Sequence, residues 1–185
     1  GVDLKIWPHA REAILVAPHR GVEKAAQQHG NVKHVFSDRG AGPVTYLHAI
    51  RVHQWLKNLL LFVPILTAHQ WSERLAISNA LLAFAAFSLC ASSVYLLNDL
   101  LDLPADRHHP GKRRRALAAG RIPLLNGALL MLLLLVMGIG IRYLLPGLLF
   151  GILLLHLAIT LAYSLYLKSI AILDVIVLAS LYTLR

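Results

Sequence analysis

Three aspartates near the end of a long apolar run have the types and spacing best suited to chemistry. On an α-helix, Asp99, Asp102 and Asp106 fall in one narrow stripe, and Ser92 and Tyr95 extend that stripe backwards. Like charges at the edge of a low-dielectric region repel one another unless a cation lies between them. Mg²⁺ prefers oxygen ligands and usually completes its coordination with water and substrate phosphate oxygens. The pattern therefore predicts a Mg²⁺ site formed by the three carboxylates.

A basic segment follows the aspartates directly. It contains Arg107, Lys112, Arg113 and Arg115, which could bind the phosphate groups that such a metal ion would orient. The same charges could instead orient the chain in a membrane or contact lipid headgroups. For the individual arginines of the run 113–115, both interpretations stay open.

The composition places these charged groups in a membrane protein. Of the 185 residues, 57% are hydrophobic, and the mean hydropathy is +0.63, values that exclude an ordinary soluble domain. The formal charge of +9 arises mainly from basic residues between apolar segments, as expected for loops on the inner side of a membrane. No nucleic-acid motif accompanies the charge, so we expect no nucleic-acid partner. The single cysteine, Cys90, is expected to pack inside an apolar segment.

Apolar segments long enough to cross a membrane make up most of the chain. Positive residues in the loop 105–121 and at Lys168 place these connections in the cytoplasm. The sequence therefore predicts an incomplete all-α transmembrane helix bundle of about five spans. The predicted spans are residues 46–68, 75–97, 124–143 and 148–167, with an incomplete fifth span over 170–185.

The N-terminal part differs from the rest because it mixes charge, histidine and short apolar patches. We predict a small α/β remnant over 1–36, a Gly- and Pro-rich linker over 37–43, and the transmembrane part over 44–185. The chain lacks an initiator Met and ends within an apolar segment, so we expect a fragment of a longer protein. The elements predicted in the remnant are a helix over 1–11, a strand over 12–17, a helix over 20–29 and a strand over 32–36.

The first predicted span begins with a polar face. Arg51 and Gln54 share this face with Trp55 and Asn58, at the spacing i, i+3, i+4 and i+7, so the face could line a polar cavity. Anchoring at the headgroup level explains Arg51 and Trp55 equally well. Asn58 lies too deep for that explanation.

Other polar residues within spans have two interpretations. Asp174 could join the site or interact favourably with the dipole of the fifth helix, and Lys168 could pair with Asp174 or with a phosphate. His156 and Thr160, at i and i+4, are expected to make interhelical hydrogen bonds rather than to bind a ligand.

The motif NDxxDxxxD from Asn98 to Asp106, with the DRxHPxKRxR extension that follows it, resembles the first signature of the UbiA-type intramembrane prenyltransferase superfamily. Three further motifs are most similar to its decaprenyl-phosphate phosphoribosyltransferase branch. The resemblance covers about residues 46–185. Those motifs are QWxKN from Gln54 to Asn58, ASSVYLLND from Ala91 to Asp99, and YSLYLK from Tyr163 to Lys168.

The resemblance implies a transferase of the bacterial inner membrane, with a lipid-facing cavity in which Mg²⁺ and basic residues hold a polyprenyl phosphate or diphosphate. Phosphoribosyl transfer from phosphoribosyl diphosphate to a polyprenyl phosphate is the preferred prediction. Prenylation of an aromatic acceptor by a polyprenyl diphosphate is the alternative enzymatic reaction, and a non-catalytic lipid-binding scaffold is a further alternative.

The resemblance also implies roles for residues at matching positions. The implied catalytic residues are Asn98, Asp99, Asp102 and Asp106, of which the three aspartates would bind the metal. The implied phosphate-binding residues are Lys57, Asn58, Arg107, Lys112, Arg113, Arg115, Tyr163, Lys168 and Asp174.

Two positions depart from the family pattern. Pro104 lacks a backbone donor and is expected to end or kink the helix between Asp102 and Asp106, which would take Asp106 out of the stripe. Ala116 stands where the pattern has a proline, which is expected to loosen the loop. The superfamily's second acidic motif would lie beyond Arg185, so half of the metal site is expected outside this chain.

The segment Asp3–Trp7 resembles the last motif of haloacid-dehalogenase-like phosphatases, in which an Asp-Leu pair supports Mg²⁺. Asp3 is therefore either a metal ligand of a parent domain or an exposed helix N-cap.

Overall fold

The structure is a computed structural model that describes residues 11–16, 20–28, 32–36, 41–166, 179–181 and 183. The chain separates into two compact units, with the boundary between Gly42 and Pro43. The predictions for Asp3, Lys168 and Asp174, and for most of the fifth span, lie outside the described residues.

The first unit contains a parallel two-stranded sheet. Strand β1 (Ala13–Val16) pairs with β2 (Val32–Phe36), and helix α1 (Arg20–Gln28) lies between them in sequence. Parallel strands require such a crossover because their ends lie at opposite edges of the sheet. Leu15 and Ala26 are buried, at 2% and 1% exposure, which gives the unit a small core. The predicted order of strand, helix and strand is present.

The second unit contains three helices that are long and apolar enough to cross a membrane. They are α4 (Arg74–Leu101), α6 (Leu124–Gly140) with a 3₁₀ turn that extends it to Leu144, and α7 (Gly147–Leu165). The 28 residues of α4 span about 42 Å at about 1.5 Å per residue. Because the hydrocarbon core is only about 30 Å thick, the ends of α4 extend beyond it. The predicted second, third and fourth spans are confirmed as helices.

Helix α4 is the centre of this unit and the most buried of the three. Phe87 and Cys90 of α4 form one buried apolar cluster with Leu153 of α7. Helix α6 approaches α4 closely, since a Cβ placed on Gly138 would lie 2.7 Å from the Cys90 sulfur. Small residues permit this kind of close helix packing in membranes.

The prediction of one continuous helical span over 46–68 is wrong. This region forms helix α2 (Pro43–Ala49), an 11-residue 3₁₀ helix (Val52–Phe62), hereafter the 3₁₀ segment, and helix α3 (Val63–Thr67). Arg51 has a φ of 54° and a left-handed backbone conformation. An α-helix cannot continue through that conformation. The chain therefore changes direction where the site begins.

The helix breaks beside Pro104, but at Asp102 rather than between Asp102 and Asp106 as predicted. Helix α4 ends at Leu101, and a short helix α5 (Leu103–His108) begins with Pro104 in its first turn, where a missing backbone donor costs least. Ala116, expected to loosen the loop that follows, is buried. Its carbonyl accepts hydrogen bonds from the backbone amides of Arg121 and Ile122, so the loop is tied at this position.

Candidate functional site

Neutral hydrogen bonds join the 3₁₀ segment to the middle of α4. The indole Nε1 of Trp55 donates to Ser92 Oγ at 2.9 Å, and that hydroxyl donates to the carbonyl of Ile50 at 2.7 Å. Asn58 Nδ2 donates to Ser88 Oγ at 2.9 Å, and both residues are buried. Polar groups at this depth are costly unless they are paired. These hydrogen bonds of Trp55 and Asn58 therefore join the polar face to α4.

Arg51 extends this contact towards the end of α4. Its Nη2 donates to Asp99 Oδ1 at 2.7 Å, and its guanidinium carbon lies 4.8 Å from the centre of the Tyr95 ring. A positive charge over an aromatic ring is attracted by the electron-rich face of the ring. A non-glycine residue with positive φ is strained, and such residues often lie at functional sites. The structure thus places Arg51 at the candidate site, in contact with Asp99 and Tyr95.

Two of the predicted carboxylates meet at Arg115. The Nη1 of Arg115 lies 2.7 Å from Asp106 Oδ2 and 3.2 Å from Asp99 Oδ1. Asp99 and Asp106 are buried, at 5% and 1% exposure. Buried carboxylates are stable only when paired. The break at Pro104 does not separate Asp106 from Asp99, because the loop returns Arg115 to bridge them.

The predicted stripe of three metal-binding carboxylates does not form. Within the part of the chain that the structure describes, no three His, Cys, Asp or Glu side chains are placed to hold a metal ion. Asp102 lies at the junction of α4 and α5, where its carbonyl accepts a hydrogen bond from the Asp106 amide at 2.8 Å. Asp99 and Asp106 still fit Mg²⁺, which needs only one or two carboxylates when water and substrate phosphate supply the other oxygens.

A cavity of about 710 Å³ opens beside Asp99. Hereafter it is called the arginine cavity, after its lining residues Arg51, Arg114, Arg115 and Arg121. Arg121 Nη2 donates to the carbonyl of Arg114 at 2.6 Å, which holds these two residues together. Among the described acids, none forms an ion pair with Arg114 or Arg121. The cavity therefore has an excess of positive charge, which suits a ligand with several phosphates.

A smaller cavity of about 120 Å³ lies between α4 and α7, hereafter the small cavity. It brings together three residues singled out by the family resemblance, namely Lys57, Asn98 and Tyr163. Asn98 Oδ1 accepts a hydrogen bond from Ser164 Oγ, which orients the amide. The lining also contains Tyr95, His156 and Thr160 on its polar side, and Cys90, Ala91, Val94, Leu157 and Leu181 on its apolar side.

Two residues of α7 differ in part from their prediction. The hydroxyl of Thr160 donates to the carbonyl of His156 at 2.7 Å, so this hydrogen bond lies within the helix rather than between helices. The His156 ring lies 5.1 Å from the ring of Phe87 on α4. Because both residues line the small cavity, they are closer to a candidate ligand site than their spacing alone indicated.

Other predicted phosphate-binding residues lie outside the two cavities. Arg107, Lys112 and Arg113 are exposed and line neither cavity in the described part of the chain. The amide of Asn58 donates its hydrogen bond to the hydroxyl of Ser88. The Nδ1 of His109 accepts hydrogen bonds from the amides of Gly111 and Lys112, at 3.1 and 3.2 Å, and so shapes the turn that precedes Arg115.

Several residues of the arginine cavity are not among the site residues predicted from the sequence. Arg114 and Arg121 belong to the same basic loop as Arg115, and no spacing rule distinguishes the members that turn inward. His48 and His53 flank Arg51 and also line the cavity. The left-handed turn at Arg51 brings them there, and the sequence carries no glycine or asparagine at that position to signal such a turn.

A comparison against known families identifies the family of this chain. Residues 59–185 match the family model described as the UbiA prenyltransferase family. This match covers more than half of the chain, so the chain belongs to the UbiA prenyltransferase family and is a membrane protein.

Three individual proteins show how similar this chain is to known members and relatives of the family. The chain is 42% identical over 184 residues to the uncharacterized protein y4nM of Sinorhizobium fredii, covering 99% of this chain and 36% of that protein. It is 40% identical over 143 residues to nodulation protein NoeC of Azorhizobium caulinodans, covering 77% of this chain and 46% of that protein. It is 38% identical over 141 residues to decaprenyl-phosphate phosphoribosyltransferase of Mycobacterium tuberculosis, covering 74% of this chain and 47% of that protein. The chain therefore spans less than half the length of these relatives.

Proposed function

We propose that the full-length protein transfers a phosphoribosyl group from phosphoribosyl diphosphate to a polyprenyl phosphate, at the cytoplasmic face of a bacterial inner membrane. The observation that carries this proposal is the arginine cavity, in which four arginines surround the buried carboxylate of Asp99. The name of the mycobacterial relative supports this pair of substrates.

The arginines match the main demand of the reaction. The departing diphosphate gathers negative charge as its bond to the sugar breaks, and preorganised cations stabilise that charge best where water is excluded. Guanidinium groups bind phosphate oxygens through paired hydrogen bonds. Arg51 and Arg115 are held in place by Asp99 and Asp106, so little reorganisation is needed when a phosphate arrives.

The proposal includes Mg²⁺, which Asp99 and Asp106 would hold together with phosphate oxygens of the donor. When bound, it would supply further neutralisation of the diphosphate. The nucleophile of the reaction is a phosphate oxygen of the lipid, which is already anionic. No general base is therefore required, and the role of the protein is to bind and orient both substrates.

The test is a two-substrate assay of the full-length protein in membranes. One arm supplies labelled phosphoribosyl diphosphate with decaprenyl phosphate, and the other supplies a polyprenyl diphosphate with an aromatic acceptor. We expect label transfer to the lipid in the first arm only, and its loss on chelation of Mg²⁺. Turnover in the aromatic arm alone would overturn the proposal in favour of aromatic prenylation.

A non-catalytic lipid-binding scaffold is distinguished by variants. Asp99→Ala and Asp106→Ala would leave Mg²⁺ affinity and function unchanged in a scaffold. In the transferase they are expected to abolish most of the transfer.

We also infer that the N-terminal unit is the end of a haloacid-dehalogenase-like domain. Its strand, helix and parallel strand support this inference. Phosphatase activity of the full-length protein towards p-nitrophenyl phosphate, lowered by Asp3→Asn and unaffected by Asp99→Asn, is the expected result. Activity that is insensitive to Asp3→Asn would contradict the inference.

A further inference from the structure

Neighbouring residues of α4 line the two cavities. Asn98 lines the small cavity and Asp99 lines the arginine cavity. Consecutive helical residues point about 100° apart, so they face different neighbours. Tyr95 lines the small cavity, and its ring also contacts the guanidinium of Arg51, which lines the arginine cavity. Ligands in the two cavities would therefore be separated by little more than the thickness of side chains.

The small cavity is amphipathic and matches a lipid phosphate. Lys57, the only lysine or arginine among its described lining residues, shares it with the amide of Asn98. Val94 and Leu157 supply apolar surface in the same cavity. A single described cation beside an amide and apolar side chains suits a phosphate group that carries a hydrocarbon chain.

The arginine cavity is larger and has a different lining. It has about 710 Å³ of space, and its described lining contains four arginines, two histidines and no leucine, isoleucine or phenylalanine. Asp99 balances part of the charge of Arg51 and Arg115, while no described acid pairs with Arg114 or Arg121. Such a lining favours a water-soluble polyanion over a lipid.

We propose that the two cavities divide the substrates, with the lipid phosphate bound in the small cavity by Lys57 and Asn98 and the diphosphate sugar bound in the arginine cavity by Arg114 and Arg121. This division rests on the proposed function. A lipid phosphate oxygen forms a bond to the anomeric carbon while the bond from that carbon to the diphosphate breaks. The electron pair leaves with the diphosphate, and no proton is transferred. The contact between Arg51 and Tyr95 lies between the two cavities, next to where this bond would form.

The experiment measures the affinity for each ligand separately in the full-length protein, reconstituted in lipid nanodiscs with Mg²⁺. The probes are farnesyl phosphate, a short polyprenyl phosphate, and phosphoribosyl diphosphate, both titrated by calorimetry. Lys57→Gln is expected to lower the affinity for farnesyl phosphate about tenfold, because a charged hydrogen bond contributes about 1.5 kcal/mol or more. The affinity for phosphoribosyl diphosphate should stay within twofold of the wild-type value. Arg121→Gln is expected to give the opposite pattern.

Matched variants control for charge and for folding. Arg142→Gln removes an arginine that packs against Phe150 outside both cavities, and it should change neither affinity. Lys57→Arg keeps the charge and should restore farnesyl phosphate binding to within threefold. Arg114→Gln should repeat the effect of Arg121→Gln. A variant that loses one ligand and keeps the other is folded, so the retained affinity is its own control.

The outcomes separate this inference from the proposed function. The division of substrates is overturned if Lys57→Gln and Arg121→Gln lower the affinity for both ligands alike. It is also overturned if each variant lowers the affinity for the ligand assigned to the other cavity. If the affinities divide as expected but the wild-type protein transfers no phosphoribosyl group, the division is supported and the proposed function fails.

Discussion

The middle and the end of α4 are both polar, but they differ in kind. In the middle, the hydroxyls of Ser88 and Ser92 exchange neutral hydrogen bonds with the 3₁₀ segment, and no charge is buried there. At the end, the carboxylate of Asp99 accepts hydrogen bonds from two arginines beside an open cavity. Neutral pairs specify how membrane helices pack at modest cost, whereas buried charges are costly and usually serve a function. This difference is what the proposed function requires, because the middle of α4 would position the chain and its end would bind the phosphates.

The largest expected effect follows from replacing Asp99. Asp99→Asn keeps the shape but removes the charge that holds Arg51 and Arg115, and it removes a proposed Mg²⁺ ligand. We expect transfer to fall about 1,000-fold, equivalent to about 4 kcal/mol of transition-state stabilisation. The phosphoribosyl transfer assay measures this, with Glu73→Gln, an exposed acid at the opposite end of α4, as the control. Activity within tenfold of wild type would remove the functional distinction between the two regions.

Arg115→Gln is expected to have the next largest effect. It leaves the buried carboxylates of Asp99 and Asp106 close together without their shared cation, so both stability and transfer should fall. We expect about 100-fold lower transfer and a loss of stability of about 2 kcal/mol, below the range for fully buried pairs because the arginine is partly exposed.

Thermal unfolding in detergent and the transfer assay measure the two effects. The exposed neighbour Arg113, which lines neither cavity, provides the matched control Arg113→Gln. Adding Asp106→Asn to Arg115→Gln should recover part of the lost stability, since one uncompensated charge is removed. If the second substitution lowers stability further by its full separate effect, Asp106 and Arg115 are not coupled.

Ser88→Ala tests the middle region. It leaves the amide of Asn58 without its partner at a buried position, which costs about 1–3 kcal/mol. We expect a lower unfolding temperature with kcat/KM unchanged within about threefold for the folded fraction. Ser78→Ala, which removes an exposed hydroxyl that donates to its own helix, is the control. A loss of kcat/KM comparable to that of Asp99→Asn would show that the neutral contacts also take part in the reaction.

The smallest expected effect comes from the contact between α4 and α6. Gly138→Ala would place a methyl group 2.7 Å from the sulfur of Cys90, so the helices must shift at a cost of about 1–2 kcal/mol. Gly151→Ala is the matched control, because a Cβ there meets no atom of the described chain within 4 Å. Thermal unfolding compares the two variants. Equal unfolding temperatures would mean that α6 can move away from α4 without loss of stability.

Local signals in the sequence predicted much of the fold. Continuous apolar runs predicted the helices α4, α6 and α7, because a membrane span has to satisfy its backbone within itself. Pro104 predicted the end of α4, because proline lacks the amide that a helix interior requires. The spacing of Arg51, Trp55 and Asn58 predicted that these residues share one face towards a polar environment. In each case the decisive physics acts within a few residues of the signal.

The composition of the site depended on contacts between distant residues. The left-handed turn at Arg51 is stabilised by partners about forty residues away on α4. The return of Arg115 to Asp99 and Asp106 also follows from how the loop folds, as does the selection of Arg114 and Arg121 among several similar arginines. None of these has a local preference strong enough to predict it, since the energy comes from pairing charges that the fold brings together.

The amino-acid sequence alone was thus sufficient to show a membrane-embedded helical protein with acidic and basic groups suited to phosphate chemistry. Hydrophobicity and helix periodicity are properties of the local chain, and they required no knowledge of the neighbours. The tertiary structure alone showed that the carboxylates of Asp99 and Asp106 meet at Arg115, and that Asn98 and Asp99 line different cavities. Those features arise because charge pairing and cavity shape depend on which distant segments pack together.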